Sequence, residues 1–203
     1  MERIPDCTGV LVAGGAARRL GGIAKGRMRV GGTPVAARSL DLLRALFGDV
    51  LVVANDPGPW RDLGAPVVPD VLPGKGAPGG LHAALSTVRT GWIFAAACDM
   101  PFLDERPIRA LAALRGDAPA VLPEGTHGPE GLHAFWSAAV LPVLSRLLAE
   151  GDPSLRAVAA AAGARVVPAE EWKRLDPGGR ALENVNTPED ARRLGLDLPE
   201  GTP

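Results

Sequence analysis

Val10-Leu11-Val12-Ala13-Gly14-Gly15-Ala16-Ala17-Arg18-Arg19-Leu20-Gly21-Gly22-Ile23-Ala24-Lys25-Gly26 is the stretch on which the reading of this chain turns. The apolar run Val10 to Ala13 predicts a short buried strand. It breaks at Gly14-Gly15 into a segment that holds, up to Lys25, four glycines, three cations and no carboxylate. Glycines let backbone N–H groups converge at close range, and Arg19 and Lys25 add full positive charge. Such a loop suits a polyphosphate. It lacks both the Gly-Lys-Ser/Thr ending of a P-loop and the G-x-G-x-x-G of a dinucleotide fold. The competing reading is a flexible Gly/Arg surface loop.

Working outward, the totals describe an ordinary globular chain. Its 203 residues sit near one domain, with 46% hydrophobic and 22% charged residues and a net charge of −1. Chains of this size bury roughly 70% of their unfolded surface. The near-neutral balance argues against a broad basic face for nucleic acid, so anion binding must be local. No stretch approaches the ~20 apolar residues of a membrane span, and Met1-Glu2-Arg3-Ile4-Pro5-Asp6 does not read as a signal peptide. A cytoplasmic protein is expected. Cys7 and Cys98 form no C-x-x-C or Cys/His cluster, so they read as small buried packing rather than zinc ligands.

Downstream, Val30-Gly31-Gly32-Thr33-Pro34 is a turn that can start a helix at Pro34. Val35, Leu40, Leu43, Leu46 and Phe47 recur at helical spacing. Asp49 to Ala54 reads as a second strand and Val67-Val68 as a third, the order expected of a βαβ unit in a mainly parallel sheet. Gly76-Ala77-Pro78-Gly79-Gly80 reads as a loop feeding a helix from Leu81 to Arg89, either a ligand-facing loop or a plain cap. Trp92 to Cys98 is the most apolar strand candidate. It ends in Asp99, a carboxylate at the strand end where α/β sheets place ligands. Asp99 can hold Mg²⁺ or can cap the following turn.

A helix from Pro107 to Leu114 is expected, capped by Asp104. Ala120-Val121-Leu122 and Leu132 to Trp136 read as strands around a polar loop, Pro123 to Gly131. His127 reads as surface and His133 as structural, since nothing pairs either with a nucleophile. Val140 to Ala149 reads as a helix. The next helix is read with Asp152 as cap and Pro153 at its first position, and Arg165 to Val167 as a strand. Glu170 to Arg174 reads as a charged exposed turn or helix, a solvated surface rather than a binding patch. Leu182 to Asp190 reads as a strand leading into a terminal helix, with Thr187 and Asp190 making a capping box. One domain over 1–197 and a disordered tail over 198–203 complete the expectation.

The front stretch resembles the signature L-A-G-G-x-x-x-R-M-G-x-x-K of sugar-phosphate-type nucleotidyltransferases, in the form of the molybdenum cofactor guanylyltransferase (MobA-like) family. Here it stands as Val12-Ala13-Gly14-Gly15, Arg19-Leu20-Gly21-Gly22 and Lys25. Val12 replaces the usual Leu, and Ala24 replaces an Asp before the Lys. Later segments are similar in order: Asp70, the Gly79-Gly80 loop, Cys98-Asp99 as C-D-x-P, Leu132 to Trp136, and Asn184 to Pro188 as N-x-N-T-P. Gly131 and Trp136 stand where that family has Pro and Tyr.

The resemblance implies a three-layer α/β/α sandwich with a Rossmann-like, predominantly parallel sheet. It implies attack by the phosphate of Mo-molybdopterin on the α-phosphorus of GTP, with pyrophosphate leaving and Mg²⁺ as cofactor. Arg19, Lys25 and Asp99 would then be catalytic, and Asp99 the metal ligand. Val12, Ala13, Gly14, Gly15, Lys25, Asn55, Asp70, Gly80 and Asp99 would bind the nucleotide, with Asn184 and Asn186 on the acceptor side. Other cofactor-biosynthesis proteins or recipient molybdoenzymes are implied partners. The alternatives are a cytidylyl- or sugar-phosphate nucleotidyltransferase and a nucleotide-binding adaptor without transfer activity.

Overall fold

A computed structural model of the chain describes residues 2–13, 25–72 and 74–197. Gly14, Gly15, Arg19 and the expected tail at 198–203 lie outside the described residues, as does the side chain of Lys25.

Ten strands and seven α-helices are described. The strands of the main sheet are β1 (Cys7–Val12), β4 (Asp49–Val53), β5 (Val67–Val68), β6 (Trp92–Ala97), β7 (Ala120–Gly125), β8 (Gly128–Pro129), β9 (His133–Ser137) and β10 (Arg165–Val167). A small hairpin, β2 (Arg29–Val30) and β3 (Thr33–Pro34), stands apart. The helices are α1 (Val35–Leu46), α2 (Gly76–Thr87), α3 (Glu105–Ala113), α4 (Leu141–Glu150), α5 (Leu155–Ala162), α6 (Ala169–Leu175) and α7 (Pro188–Leu194). The main sheet runs β10-β7-β9-β6-β1-β4-β5, with β8 folded onto β7. β1 pairs in parallel with both β4 and β6, whereas β9 runs antiparallel to β6 and β7. The expected α/β sandwich with a mostly parallel centre is what forms.

Side chains alternate along each strand, so each face of the sheet carries its own core. Leu11, Val52, Phe94, Val121 and Phe135 join α1, α3 and α6 on one face. Val10, Val12, Val53, Ile93 and Trp136 join α2, α4 and α5 on the other. This double coverage explains why β6 and the second half of β1, from Val10, read as unbroken apolar runs. Phe47, Phe94 and Phe135 make a ring cluster with centroids 4.9 to 6.3 Å apart. Burying such a side chain is worth roughly 1.5–3 kcal/mol.

The topology fixes where a ligand can bind. From β1 the chain crosses through α1 to β4 and β5, then returns through α2 to β6 on the opposite side of β1. The crevice beyond the carboxyl ends of β1 and β6 is therefore the topological switch point, where open α/β sheets bind ligands.

Several local expectations are corrected. Pro34 is the residue before α1 rather than its first residue, because it also closes the β2–β3 hairpin opposite Arg29. The helix expected from Leu81 begins at Gly76, so Gly76 to Gly80 are helix, not loop. Pro78 is tolerated there because the first turn needs no N–H from it. Helix α3 starts at Glu105, not Pro107, with Asp104 capping it as expected by accepting the Arg106 N–H at 2.8 Å. The polar loop after Leu122 is instead a hairpin, β7 with β8. The cap of α5 is Ser154, whose hydroxyl accepts the Ala157 N–H, and not Asp152. Asp152 instead pairs with Lys75 Nζ at 2.6 Å. The charged segment at 170–174 takes the helical of its two readings, as α6, but it is not exposed throughout, since buried Trp172 anchors it. No strand forms at 182–187. The capping box of α7 is present as expected, Thr187 and Asp190 each accepting the other's backbone N–H.

Candidate active site

Strand β1 ends at Val12, whose carbonyl accepts the Cys98 N–H at 3.1 Å, while the Ala13 N–H reaches the Val53 carbonyl at 2.8 Å. The ladder thus holds the ends of β4, β1 and β6 level. Asp99 lies two residues beyond the end of β6 and is half-buried. On the other flank, the Asn55 side chain leaves β4 and its Oδ1 accepts the Asp70 N–H at 2.9 Å. Asp70 in turn accepts the Leu72 N–H through Oδ1 at 2.9 Å. The two residues that sequence alone left as separate candidates are therefore one unit, joined from the Asn55 side chain to the Asp70 backbone.

Helix α2 enters beneath this unit. A Cβ on Gly80 would lie 3.0 Å from Val12 Cγ1, so the helix backbone packs directly on the end of β1. Close approach, not loop flexibility, is what these glycines supply. Gly26 plays the same part in front: a Cβ there would meet Ala36 and Trp60 at 2.9 Å. The backbone beside Lys25, which opens a short 3-10 turn over Lys25–Arg27, is pinned between α1 and Trp60.

The C-terminal segment returns to the same edge. The Val185 N–H donates to the Asp99 carbonyl at 3.0 Å, setting Asn184 and Asn186 on either side of that bond. Asn184 Nδ2 donates to the Leu182 carbonyl at 3.2 Å, and the Asn186 N–H donates to Asp190 Oδ2 at 3.0 Å. The capping box that starts α7 thereby also positions Asn186. Buried Val185 packs with Met28, Val35, Ala191, Leu194 and Leu196. Arg29 and Asp197 exchange backbone hydrogen bonds of 2.9 Å, tying the end of this segment to the β2–β3 hairpin.

Asn184 and Asn186 line a cleft of about 530 Å³ whose wall includes Trp172, Glu124, Glu130 and Asp176. Glu130 was not a candidate from sequence; a lone acid between Pro129 and Gly131 carries no motif. Its burial pushes its carboxyl above the usual range, while His127 and Arg156 draw it down and the charge of Asp99 pushes it further up. The cleft adjoins Asp99 through Asn184 and Asn186, which flank the residue bonded to the Asp99 carbonyl.

The two histidines behave as expected. His127 is exposed, and His133 is fully buried between the rings of Phe94 and Trp172 at 5.3 and 5.5 Å. Burial holds His133 down to about 3, and neither ring nitrogen has a hydrogen-bond partner among the described residues. It is neutral near pH 7. Cys7 and Cys98 are buried thiols outside any disulfide, as expected.

The described residues hold no cluster of three His, Cys, Asp or Glu that could cage a metal. Mg²⁺ does not require one, since it takes one or two carboxylates and fills its shell with water and phosphate oxygens. A half-buried Asp99 at the switch point fits that donor set. No helix among the described residues is long and apolar enough to cross a membrane.

Comparison with known proteins agrees with this architecture. A family model described as the MobA-like NTP transferase domain matches residues 9–169. A probable molybdenum cofactor guanylyltransferase of Chloroflexus aggregans is 36% identical over 192 residues, covering 91% of each chain. A molybdenum cofactor guanylyltransferase of Desulfosudis oleivorans is 29% identical over 96% of each. The crystal structure of molybdopterin-guanine dinucleotide biosynthesis protein A from Archaeoglobus fulgidus superposes with a TM-score of 0.78 at 24% identity, covering 92% of this chain and 95% of the other.

Proposed function

The chain belongs to the family of MobA-like NTP transferase domains, and from that membership we propose that it transfers GMP from GTP to Mo-molybdopterin, releasing pyrophosphate and forming a guanine dinucleotide cofactor. The observation that carries this reading is the convergence at one sheet edge. Val12, Ala13, Asn55, Asp70 and Asp99 lie at the carboxyl ends of adjacent strands, and the Asn184–Asn186 segment is bonded to the Asp99 backbone. A donor nucleotide and an acceptor can therefore flank one carboxylate.

Nucleotidyl transfer asks the protein mainly for positioning and charge stabilisation. Backbone N–H groups at Gly14 and Gly15 would hold the triphosphate, and Arg19 and Lys25 would neutralise the departing pyrophosphate. Asn55 and Asp70, already bonded to each other, would meet the base and ribose beside Gly80. Asp99 would hold Mg²⁺, which when bound supplies Lewis-acid polarisation of phosphate oxygens. The attacking phosphate monoester is largely ionised near neutral pH, so no protein base is required. The buried, neutral His133 accords with that economy. Asn184 and Asn186 would face the acceptor. We place the reaction in the cytoplasm, within one domain over 1–197, with recipient molybdoenzymes or other cofactor-biosynthesis proteins taking the product.

The test compares GTP, CTP, ATP and UTP in a thermal-shift assay with Mg²⁺, followed by pyrophosphate release in the presence of Mo-molybdopterin. Ligand at about a hundred times its Kd stabilises by ~2.7 kcal/mol, readily seen as a rise in Tm. GTP is expected to give the largest rise and to support release. A larger rise with CTP would make the chain a cytidylyltransferase, and GTP binding without release would make it an adaptor.

A further inference from the structure

Among the described residues, five carboxylates line the cleft beside Asp99: Glu124, Glu130, Asp176, Glu183 and Asp190. Four of them are already engaged. Glu124 Oε2 accepts the Ala169 N–H at the start of α6 at 3.2 Å. Asp176 accepts the N–H groups of Gly179 and Ala181. Glu183 pairs with Arg180 at 2.9 Å, and Asp190 closes the capping box of α7. These carboxylates hold the walls together.

Glu130 alone has no hydrogen bond to its carboxylate from any described residue. Its backbone is fixed, the N–H donating to the Pro123 carbonyl at 2.9 Å, and its side chain lies over Gly125, where a Cβ would meet Glu130 Cγ at 2.9 Å. A half-buried carboxylate, held in place with the charges of His127 and Arg156 acting on it but no hydrogen bond from a described residue, is free to accept an incoming N–H pair. A carboxylate presents two coplanar acceptor oxygens. The matching partner is a pair of adjacent, coplanar N–H donors, as on the edge of a 2-amino-4-oxo-pyrimidine ring, where an exocyclic amine stands beside a ring N–H.

We propose that Glu130 is a specificity-determining residue for the acceptor, receiving two N–H bonds from the amino-pyrimidine edge of its pterin ring within the cleft. The inference rests on the reading that the acceptor is a pterin. Trp172 supplies an apolar wall for the ring, and the phosphate arm of the acceptor then extends toward Asp99 and Asn186. Because Glu130 lines the cleft of Asn184 and Asn186, which none of Asn55, Asp70 and Gly80 lines, its loss falls on acceptor affinity and leaves the donor's guanine, which carries the same N–H pair, untouched.

The test is equilibrium dialysis of the full chain against a pterin and against its lumazine counterpart, in which a carbonyl replaces the exocyclic amine. Wild type is expected to bind the pterin about tenfold more tightly, the scale of one lost charged hydrogen bond. Glu130→Gln offers one donor and one acceptor, which match the lumazine edge, so its preference should level or reverse. Its GTP-induced rise in Tm should equal that of wild type, which also shows that the variant folds. If wild type and Glu130→Gln prefer the pterin equally, the assignment of Glu130 is overturned while the pterin reading stands. If wild type binds GTP but neither ring, the pterin reading falls and this inference with it.

Discussion

The carboxylate of Asp70 occupies the space that a side chain on Gly79 would need: a Cβ there would lie 2.6 Å from Asp70 Oδ2. Two positions nine residues apart in sequence are thus one interlocked element, and the Asn55 amide carbonyl holds its far side through the Asp70 N–H.

Gly79→Ala should therefore separate stability from binding. Replacing a helical glycine gains about 1 kcal/mol, while crowding costs about 1–3 kcal/mol when neighbours cannot move. A carboxylate can swing aside, so Tm should change little, whereas displacement of Asp70 should raise the KM for nucleotide about tenfold. Gly80→Ala meets buried Val12 at 3.0 Å, which cannot yield, and should lower Tm instead. Steady-state kinetics and thermal melts on the two variants check both.

Asp99→Ala should abolish metal-dependent turnover with the far-UV spectrum unchanged, since Asp99 is half-buried and not part of either apolar core. Lys25→Ala should slow nucleotidyl transfer by ~100-fold or more, the scale of one lost charge-stabilising donor. Turnover near wild type in either folded variant would remove that residue from the chemistry.

Breaking the capping box should reach the acceptor side from outside it. Thr187→Ala should cost ~1 kcal/mol by loss of the N-cap. The bond from the Asn186 N–H, foremost, holds the Asp190 carboxyl below its usual range. Its folded pKa being depressed, its stabilisation is present above the unfolded carboxylate value near ~4 and is lost as pH falls through the lower folded value. Tm against pH should show an acid loss in wild type that Asp190→Asn lacks, together with a raised acceptor KM.

His133 predicts a separate acid limit. Its folded value near 3 lies below the ordinary 6.5, so the unfolded chain binds the proton first. Stability should fall as pH drops from about 6.5 toward about 3, and His133→Phe should flatten that slope in denaturant melts collected across the range.

How much of this was legible in the sequence follows from the kind of signal involved. Runs such as Val10 to Val12 and Trp92 to Ala97 announce buried strands because both faces are covered, and Asp99 announces itself by ending one. Asp104 and the Thr187/Asp190 pair were readable because capping is local chemistry. Gly76 to Gly80 misled because glycine-rich sequence looks like a loop unless one knows that Asp70 and Val12 crowd it. Asp152 read as the cap of α5 because Asp before Pro is a sound local helix start, whereas its ion pair with Lys75, distant in sequence, leaves no local sign, and Ser154 caps the helix. Glu130 gave no sign at all. Its role depends on the other four cleft carboxylates being taken, which is a property of three dimensions.

The bonds between Arg29 and Asp197, and the packing of Met28 and Val35 on Val185, Ala191 and Leu194, have a consequence for how the molecule can be cut. The family match ends at residue 169. A truncation there would keep every strand of the sheet, yet it would strip the apolar cover from the turn that follows Lys25. Damage at the far end of the polypeptide would thus be felt at its front, beside Lys25.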